Sequence, residues 1–142
     1  MTKQISVFSE NKPGKLAQIT KILKDNDINI RAMKLSSSGD FGVVKFLVDK
    51  PDECYVKLKE KGISVYKRDI VAIILKDEPG GLFDIADKLA KNNINIEDAY
   101  AYVIEDKKIA VLIIETNNTE KLKQALDENK IDYYKDPSFY EK

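Results

Sequence analysis

Along the chain the apolar positions switch between two periods, and the switches mark out the elements. Ile5-Ser6-Val7-Phe8 reads as a short apolar-rich strand. Pro13-Gly14 breaks it, and Leu16, Ile19, Thr20 and Leu23 follow at helical spacing until Asp25-Asn26-Asp27 ends the helix. Residues 28–35 are rich in hydrophobes, with a ragged alternation, and predict a second strand. Ser36-Ser37-Ser38-Gly39-Asp40 is turn chemistry, and Val43-Val44-Lys45-Phe46-Leu47-Val48 is a near-continuous buried strand. Pro51-Asp52 opens a short helix carrying Cys54 and Leu58. Gly62 stops that helix, and Ile63-Ser64-Val65-Tyr66 is the last strand of the set.

The chain then retraces this course. Strand 71–75 precedes a helix marked by Leu82, Ile85, Ala86 and Leu89, and strand 94–103 follows. Glu105-Asp106-Lys107-Lys108 is a turn before strand 109–115. Leu122, Ala125 and Leu126 mark a second helix, and Ile131-Asp132-Tyr133-Tyr134 closes the unit. The retracing is also literal. Asn11-Lys12-Pro13-Gly14-Lys15-Leu16 returns 66 residues later as Asp77-Glu78-Pro79-Gly80-Gly81-Leu82. Between residues 5 and 48, ten of 44 positions are identical at that offset, among them Asn29 with Asn95 and Ile30 with Ile96. Beyond the third strand the offset becomes 68, pairing Leu58 with Leu126, so two residues are expected to have entered near Asn117-Asn118.

The order is therefore βαββαβ twice, the split βαβ arrangement, an α+β fold with an antiparallel four-stranded sheet and two helices on one face in each unit. The boundaries read as 1–68 for unit one, 69–136 for unit two and 137–142 for a tail in which Phe139 and Tyr140 are candidates for docking. Lys67-Arg68-Asp69 is too short for a flexible linker, which predicts sheets held in fixed relation. A unit of about 70 residues buries only ~60% of its unfolded surface. Each is expected to pack on the other or on a second copy of the chain, and a homodimer is expected.

Composition narrows the function classes. The net charge is zero, which argues against bulk binding to nucleic acid or an anionic membrane. Residues 1–69 carry 14 Lys/Arg against 9 Asp/Glu, and residues 70–142 carry 10 against 15. These opposite balances either help the halves pair or reflect solvated faces that drifted apart. No apolar run reaches the ~18–20 residues of a membrane span and no charged-then-apolar leader opens the chain, so the cytoplasm is the expected location.

The sequence has no histidine and one cysteine, Cys54, which reads as a small core residue. Phosphate-binding glycine signatures and CxxC are absent, so no catalytic residue, metal site or cofactor is expected. The tyrosines at 100, 102, 133, 134 and 140 lack the paired-aromatic pattern of an RNA-binding sheet and read as strand residues with one wet edge.

The repeated turn carries the candidate chemistry. A strand, Pro-Gly and a helix in succession leave backbone N–H groups free at a partly positive helix end, where an anion such as a carboxylate is welcome. Asn29 and Asn95 each lie 15 residues after their glycine, where the second strand begins. An Asn side chain offers both donors and an acceptor, suiting a zwitterion with a carboxylate and an ammonium group. The alternative is that these asparagines only satisfy a helix-to-strand turn.

Strand, Asn-x-Pro-Gly-x-Leu, helix, x-Ile-Asn-Ile, strand resembles the ACT domain, a small amino-acid-sensing regulatory module. Both copies fit, and together they cover the chain to about Tyr134. The resemblance implies two ferredoxin-like units pairing side by side into an eight-stranded sheet with all helices on one face. It implies a free amino acid effector bound at the seam, between the Pro-Gly loop of one unit and the second strand of the other. Carried over by motif, Asn11 and the backbone of Lys12, Pro13, Gly14, Lys15 and Leu16 face Asn95 and Ile96. Asp77 and the backbone of Glu78, Pro79, Gly80, Gly81 and Leu82 face Asn29 and Ile30. The side-chain pocket is expected around Arg31, Met33, Glu97 and Ala99. Because Asp77 cannot donate to a carboxylate, the Asn11 loop is the better expected carboxylate site. The reading is a non-catalytic amino-acid-binding regulator. Its alternatives are a regulatory subunit of an amino-acid biosynthetic enzyme and, from another class, a small enzyme working with carboxylates alone.

Overall fold

The computed structural model describes residues 2–135. They divide into two units, Lys3–Arg68 and residues 69–135 with Thr2. In the first, β1 (Lys3–Glu10), α1 (Lys15–Asp25), β2 (Ile30–Ser38), β3 (Phe41–Val48), α2 (Pro51–Glu60) and β4 (Ser64–Asp69) follow in the expected order. The strands form one sheet in the order β2-β3-β1-β4. Antiparallel pairing sets Ile5 and Met33 opposite Phe46, and so on one face. Ile5, Val7, Val44, Phe46 and Val48 meet Ile19 and Leu23 of α1 and Cys54 and Leu58 of α2 in a single core, so both helices cover that face. Each such fully buried aliphatic or aromatic side chain contributes about 1.5–3 kcal/mol. The ragged alternation of the second strand has a cause, a register shift between Ile30 and Ala32.

The second unit contains β5 (Val71–Lys76), α3 (Gly81–Lys91), β6 (Asp98–Ile104), β7 (Ile109–Glu115) and α4 (Thr119–Glu128). Its sheet runs β5-β7-β6, and its core joins Val71, Ile73, Leu112 and Ile114 to Ile85 and Leu89 of α3 and Leu122, Ala125 and Leu126 of α4. The strand expected at 131–134 is reduced to one antiparallel bridge, Ile73 with Tyr133. Two hydrogen bonds hold it, from Ile74 N–H to Asp132 O (2.9 Å) and from Tyr134 N–H to Ala72 O (2.9 Å). The chain bends at Lys135. Among the described residues the ladders thus count seven strands in two sheets, where the resemblance implied eight in one.

The two extra residues of the second unit do not enter at Asn117-Asn118. Ile5 faces Phe46 and Val71 faces Ile114, so first strands differ by 66 in number and their partners already differ by 68. The gain lies in the hairpin turn. Gly39-Asp40 joins β2 to β3, whereas β6 and β7 are joined by a turn of 3-10 helix over Glu105–Lys107 and by Lys108. A slip of two leaves every strand residue on its own face, so the apolar pattern cannot reveal it.

Cys54 is buried in the first core. Burial, ahead of the charges of Asp49 and Glu53, pushes its thiol up to about 12. The thiolate that makes a cysteine reactive is therefore suppressed. Among the described residues no helix is long and apolar enough to cross a membrane. Phe139 and Tyr140 lie outside the described residues.

Candidate functional site

Gly14 and Gly80 stand at the N-cap positions of α1 and α3 with left-handed φ of 87° and 88°. A residue with a β-carbon pays about 1–2 kcal/mol to sit there. Having no side chain, neither glycine caps its helix. The ladder resumes only with Gln18 N–H to Gly14 O (2.9 Å) and Asp84 N–H to Gly80 O (3.0 Å). The amides of Leu16 and Ala17, and of Leu82 and Phe83, belong to the first turn, which has no intrahelical acceptors. By contrast, α4 is closed by Asn118, whose Oδ1 accepts from Lys121 N–H at 3.0 Å. The two Pro-Gly loops are thus open, partly positive helix ends on exposed turns.

Around this shared frame the loops differ. Asn11 is tied to the β2–β3 turn, its N–H donating to Asp40 O (2.7 Å) and its Nδ2 to Gly39 O (3.0 Å). Asp77 keeps the first bond, N–H to Lys108 O at 3.1 Å, and as a carboxylate lacks the donor for the second. Lys12 Nζ lies 2.7 Å from Glu10 and Lys15 Nζ lies 3.9 Å from it. The hydrogen bond and then the charge of Lys12, followed by the charge of Lys15, hold the Glu10 carboxyl below its usual range, and the hydrogen bond and charge of Glu10 in turn raise Lys12. In the second loop Gly81 replaces Lys15, and a β-carbon at Gly81 would collide with the Lys76 carbonyl oxygen. The first turn of α3 lies close against the end of β5, and Leu82 and Phe83 stand 57% and 68% exposed, whereas Leu16 packs on its core.

Asn29 and Asn95 are exposed, and neither side chain makes a hydrogen bond among the described residues. The helix-to-strand turn closes without them. Asn26 Nδ2 donates to Ile22 O (2.8 Å) and Asn92 Nδ2 to Lys88 O (2.7 Å), while Asp27 and Asn93 take the positive-φ position at 54°. Only the backbone of Asn29 and Asn95 is engaged: Asn29 N–H donates to Asp49 Oδ1 (2.9 Å), and Thr116 Oγ1 donates to Asn95 O (3.2 Å). Ile30 and Ile96 are half-buried against their cores.

Within one unit the loop and the asparagine are not brought together. Glu10, before the first loop, pairs with Phe41 at the start of β3, and Ile30 pairs with Val48 at its end. Those ends are about 23 Å apart at the rise of a strand. Arg31, Met33, Glu97 and Ala99 lie at the asparagine ends, and Ala99 packs on the core.

Sequence reasoning missed a cavity of about 510 Å3 beside the first loop, bounded by the end of β1, the first turns of α1, the start of β3 and the Gly62 turn. The second unit has a counterpart of about 410 Å3 at equivalent positions. Among the described residues no group of three or more His, Cys, Asp and Glu is arranged to hold a metal ion.

The fold and its two open loops define a duplicated split-βαβ protein with two uncapped helix starts at matching positions. The chain matches the ACT domain pair over residues 1–141 and belongs to that family. It is similar to protein BT0572 from Bacteroides thetaiotaomicron, with 32% identity, 94% of this chain and 91% of that one covered, and a TM-score of 0.88. It also shares the fold of the regulatory subunit of aspartate kinase from Thermus thermophilus in its ligand-free form, with 18% identity, 91% of each chain and a TM-score of 0.67. The corresponding subunit from Thermus flavus gives 17% identity, 89% of this chain, 90% of that one and a TM-score of 0.61. No curated protein matches the sequence.

Proposed function

We propose that this protein is a non-catalytic regulator that binds a free amino acid where the Pro-Gly loop of one ACT unit meets the second strand of another. The observation that carries the proposal is a pair of complementary open groups. Both loop helices start without a side-chain cap, and both strand asparagines expose side chains without partners. The uncapped amides suit the effector's carboxylate, and an Asn oxygen suits its ammonium group. Because the two groups lie at opposite ends of each unit, a site using both takes them from two units, of one chain or of two. One such site joins Asn11 and the backbone of residues 12–16 to Asn95 and Ile96. The other joins Asp77 and residues 78–82 to Asn29 and Ile30, and binds a carboxylate less well because Asp77 repels it.

Regulation follows by linkage. An effector that favours one mutual arrangement of paired units shifts the protein toward it, and the arrangement is read by a partner or a dimer contact. A metabolite sensor works at micromolar to millimolar affinity, about −4 to −8 kcal/mol. Its setting is the cytoplasm, as a homodimer, with no nucleic acid or membrane partner. A more particular role is that of a separate regulatory subunit of an amino-acid biosynthetic enzyme. In its favour, the regulatory subunit of aspartate kinase from Thermus thermophilus shares this fold over 91% of its own length.

Thermal unfolding against the twenty amino acids, each at about 5 mM, tests the proposal. Ligand at ~100 times its Kd adds ~2.7 kcal/mol, a rise of several degrees for a chain this size. A rise with one or two related amino acids, abolished by Asn95→Ala, is the expected result. An unchanged midpoint with all twenty overturns it.

A further inference from the structure

We infer that the outer side of α3 and the edge strand β6 dock on α1 and the edge strand β2 of a second copy of this chain, and that two such seams close a dimer. The inference rests on the amino-acid reading above and assigns the two units of each site to two chains. α3 has an apolar side that its own unit leaves open. Gly81, Ile85 and Leu89 are buried on one side, and Asp84 and Lys88 border the turn after α4. Leu82, Ala86 and Ala90, spaced by four, form a row on the side away from that turn, and all three are exposed. Phe83 adjoins the row and is 68% exposed. β6 is an edge of its sheet, and its helix-side residues Ala101 and Val103, opposite Leu112 and Ala110, are exposed as well. In the first unit the matching edge is β2, whose helix-side residues Met33 and Leu35 stay 42% and 49% exposed. An uncovered apolar helix side and an uncovered apolar strand edge suit one interface.

Charge selects which edges meet. β2 carries Arg31 and Lys34 and no acid, whereas β6 carries Asp98, follows Glu97 and has no base. Pairing β2 with β2, or β6 with β6, sets like charges along the seam, and pairing β2 with β6 sets opposite ones. Chain reach then assigns the seam to two copies. β4 lies at the sheet edge opposite β2, β5 lies two strands from β6, and only Ile70 separates β4 from β5. A side-by-side seam of β2 and β6 within one chain sets β4 and β5 six strand spacings apart, about 29 Å. The step from Asp69 to Val71 spans at most about 7 Å. The effector sites therefore lie between chains, and a lone chain completes none.

Sedimentation equilibrium on the full chain tests this with Phe83→Asp, Leu35→Asp and, as a control on α2, Val56→Asp. All three residues are exposed, and an unchanged circular dichroism spectrum checks that each variant folds. The native chain is expected at about 32 kDa, twice the 16.2 kDa of one chain. Phe83→Asp and Leu35→Asp are each expected to weaken the dimer at least about tenfold, and Val56→Asp by less than about twofold. Mixing the two weakened variants is expected to recover a dimer, because one of its seams then carries both changes and the other neither. A monomeric native chain, no loss from Phe83→Asp, an equal loss from Val56→Asp, or no recovery on mixing each overturn the inference. Titration calorimetry with the twenty amino acids separates it from the reading beneath it. An amino acid bound at native strength by monomeric Phe83→Asp overturns the assignment to two chains while amino-acid binding stands. No binding by any of the twenty, with the dimer behaving as expected, overturns the amino-acid reading alone.

Discussion

At Gly81 a missing β-carbon separates two loops that otherwise share a plan. Lys15 holds the same place in α1 with a full side chain, whereas at Gly81 the Lys76 carbonyl occupies the space that a β-carbon needs. Gly80, one residue earlier, has open space around it and is constrained only by its left-handed φ of 88°. Gly80→Ala is therefore expected to cost about 1 kcal/mol, a backbone effect. Gly81→Ala is expected to cost more, about 1–3 kcal/mol, because backbone must move. Urea denaturation ranks them, and equal costs would contradict the close approach. The glycines at the two helix starts, Gly14 and Gly80, were legible because the chain repeats the Pro-Gly turn. The tie from Asn11 to Gly39 was not, since it spans 28 residues and rests on a turn geometry that no local pattern encodes.

Among the described elements, α1 to α4 and the buried strands could be read from periodicity because each packs one face on its unit's core. The last strand of the second unit and the position of the two-residue gain could not. The first depends on how far a ladder continues, and the second is hidden by the twofold period of a strand. The helices also start in three ways. α1 and α3 begin at an uncapped glycine, α2 begins with Pro51 and no side-chain cap, and α4 is capped by Asn118. Asn118→Ala is expected to cost about 1 kcal/mol in stability. It should leave amino-acid binding unchanged, because Asn118 belongs to neither Pro-Gly loop and its side chain bonds Lys121 N–H rather than Asn95. Chemical denaturation and calorimetry on the same variant check both parts, and a loss of affinity would show that α4 takes part in the site.

For the whole molecule, the central claim is that ligand recognition needs two units because each holds its loop and its asparagine at opposite ends. Duplication suits this demand, since a repeated chain supplies both kinds of end twice. The cavity beside the first loop was invisible in the sequence because its walls come from β1, α1, β3 and the Gly62 turn, distant segments that only the fold collects. The measurement that tests the claim most directly is an amide NMR titration with the amino acid that raises the unfolding midpoint. The account predicts that the amides of Leu16 and Ala17 and the side-chain amide of Asn95 shift together, along one saturation curve. Shifts at the loop amides with the Asn29 and Asn95 side chains both unmoved would contradict it, and would place the whole site within a single unit.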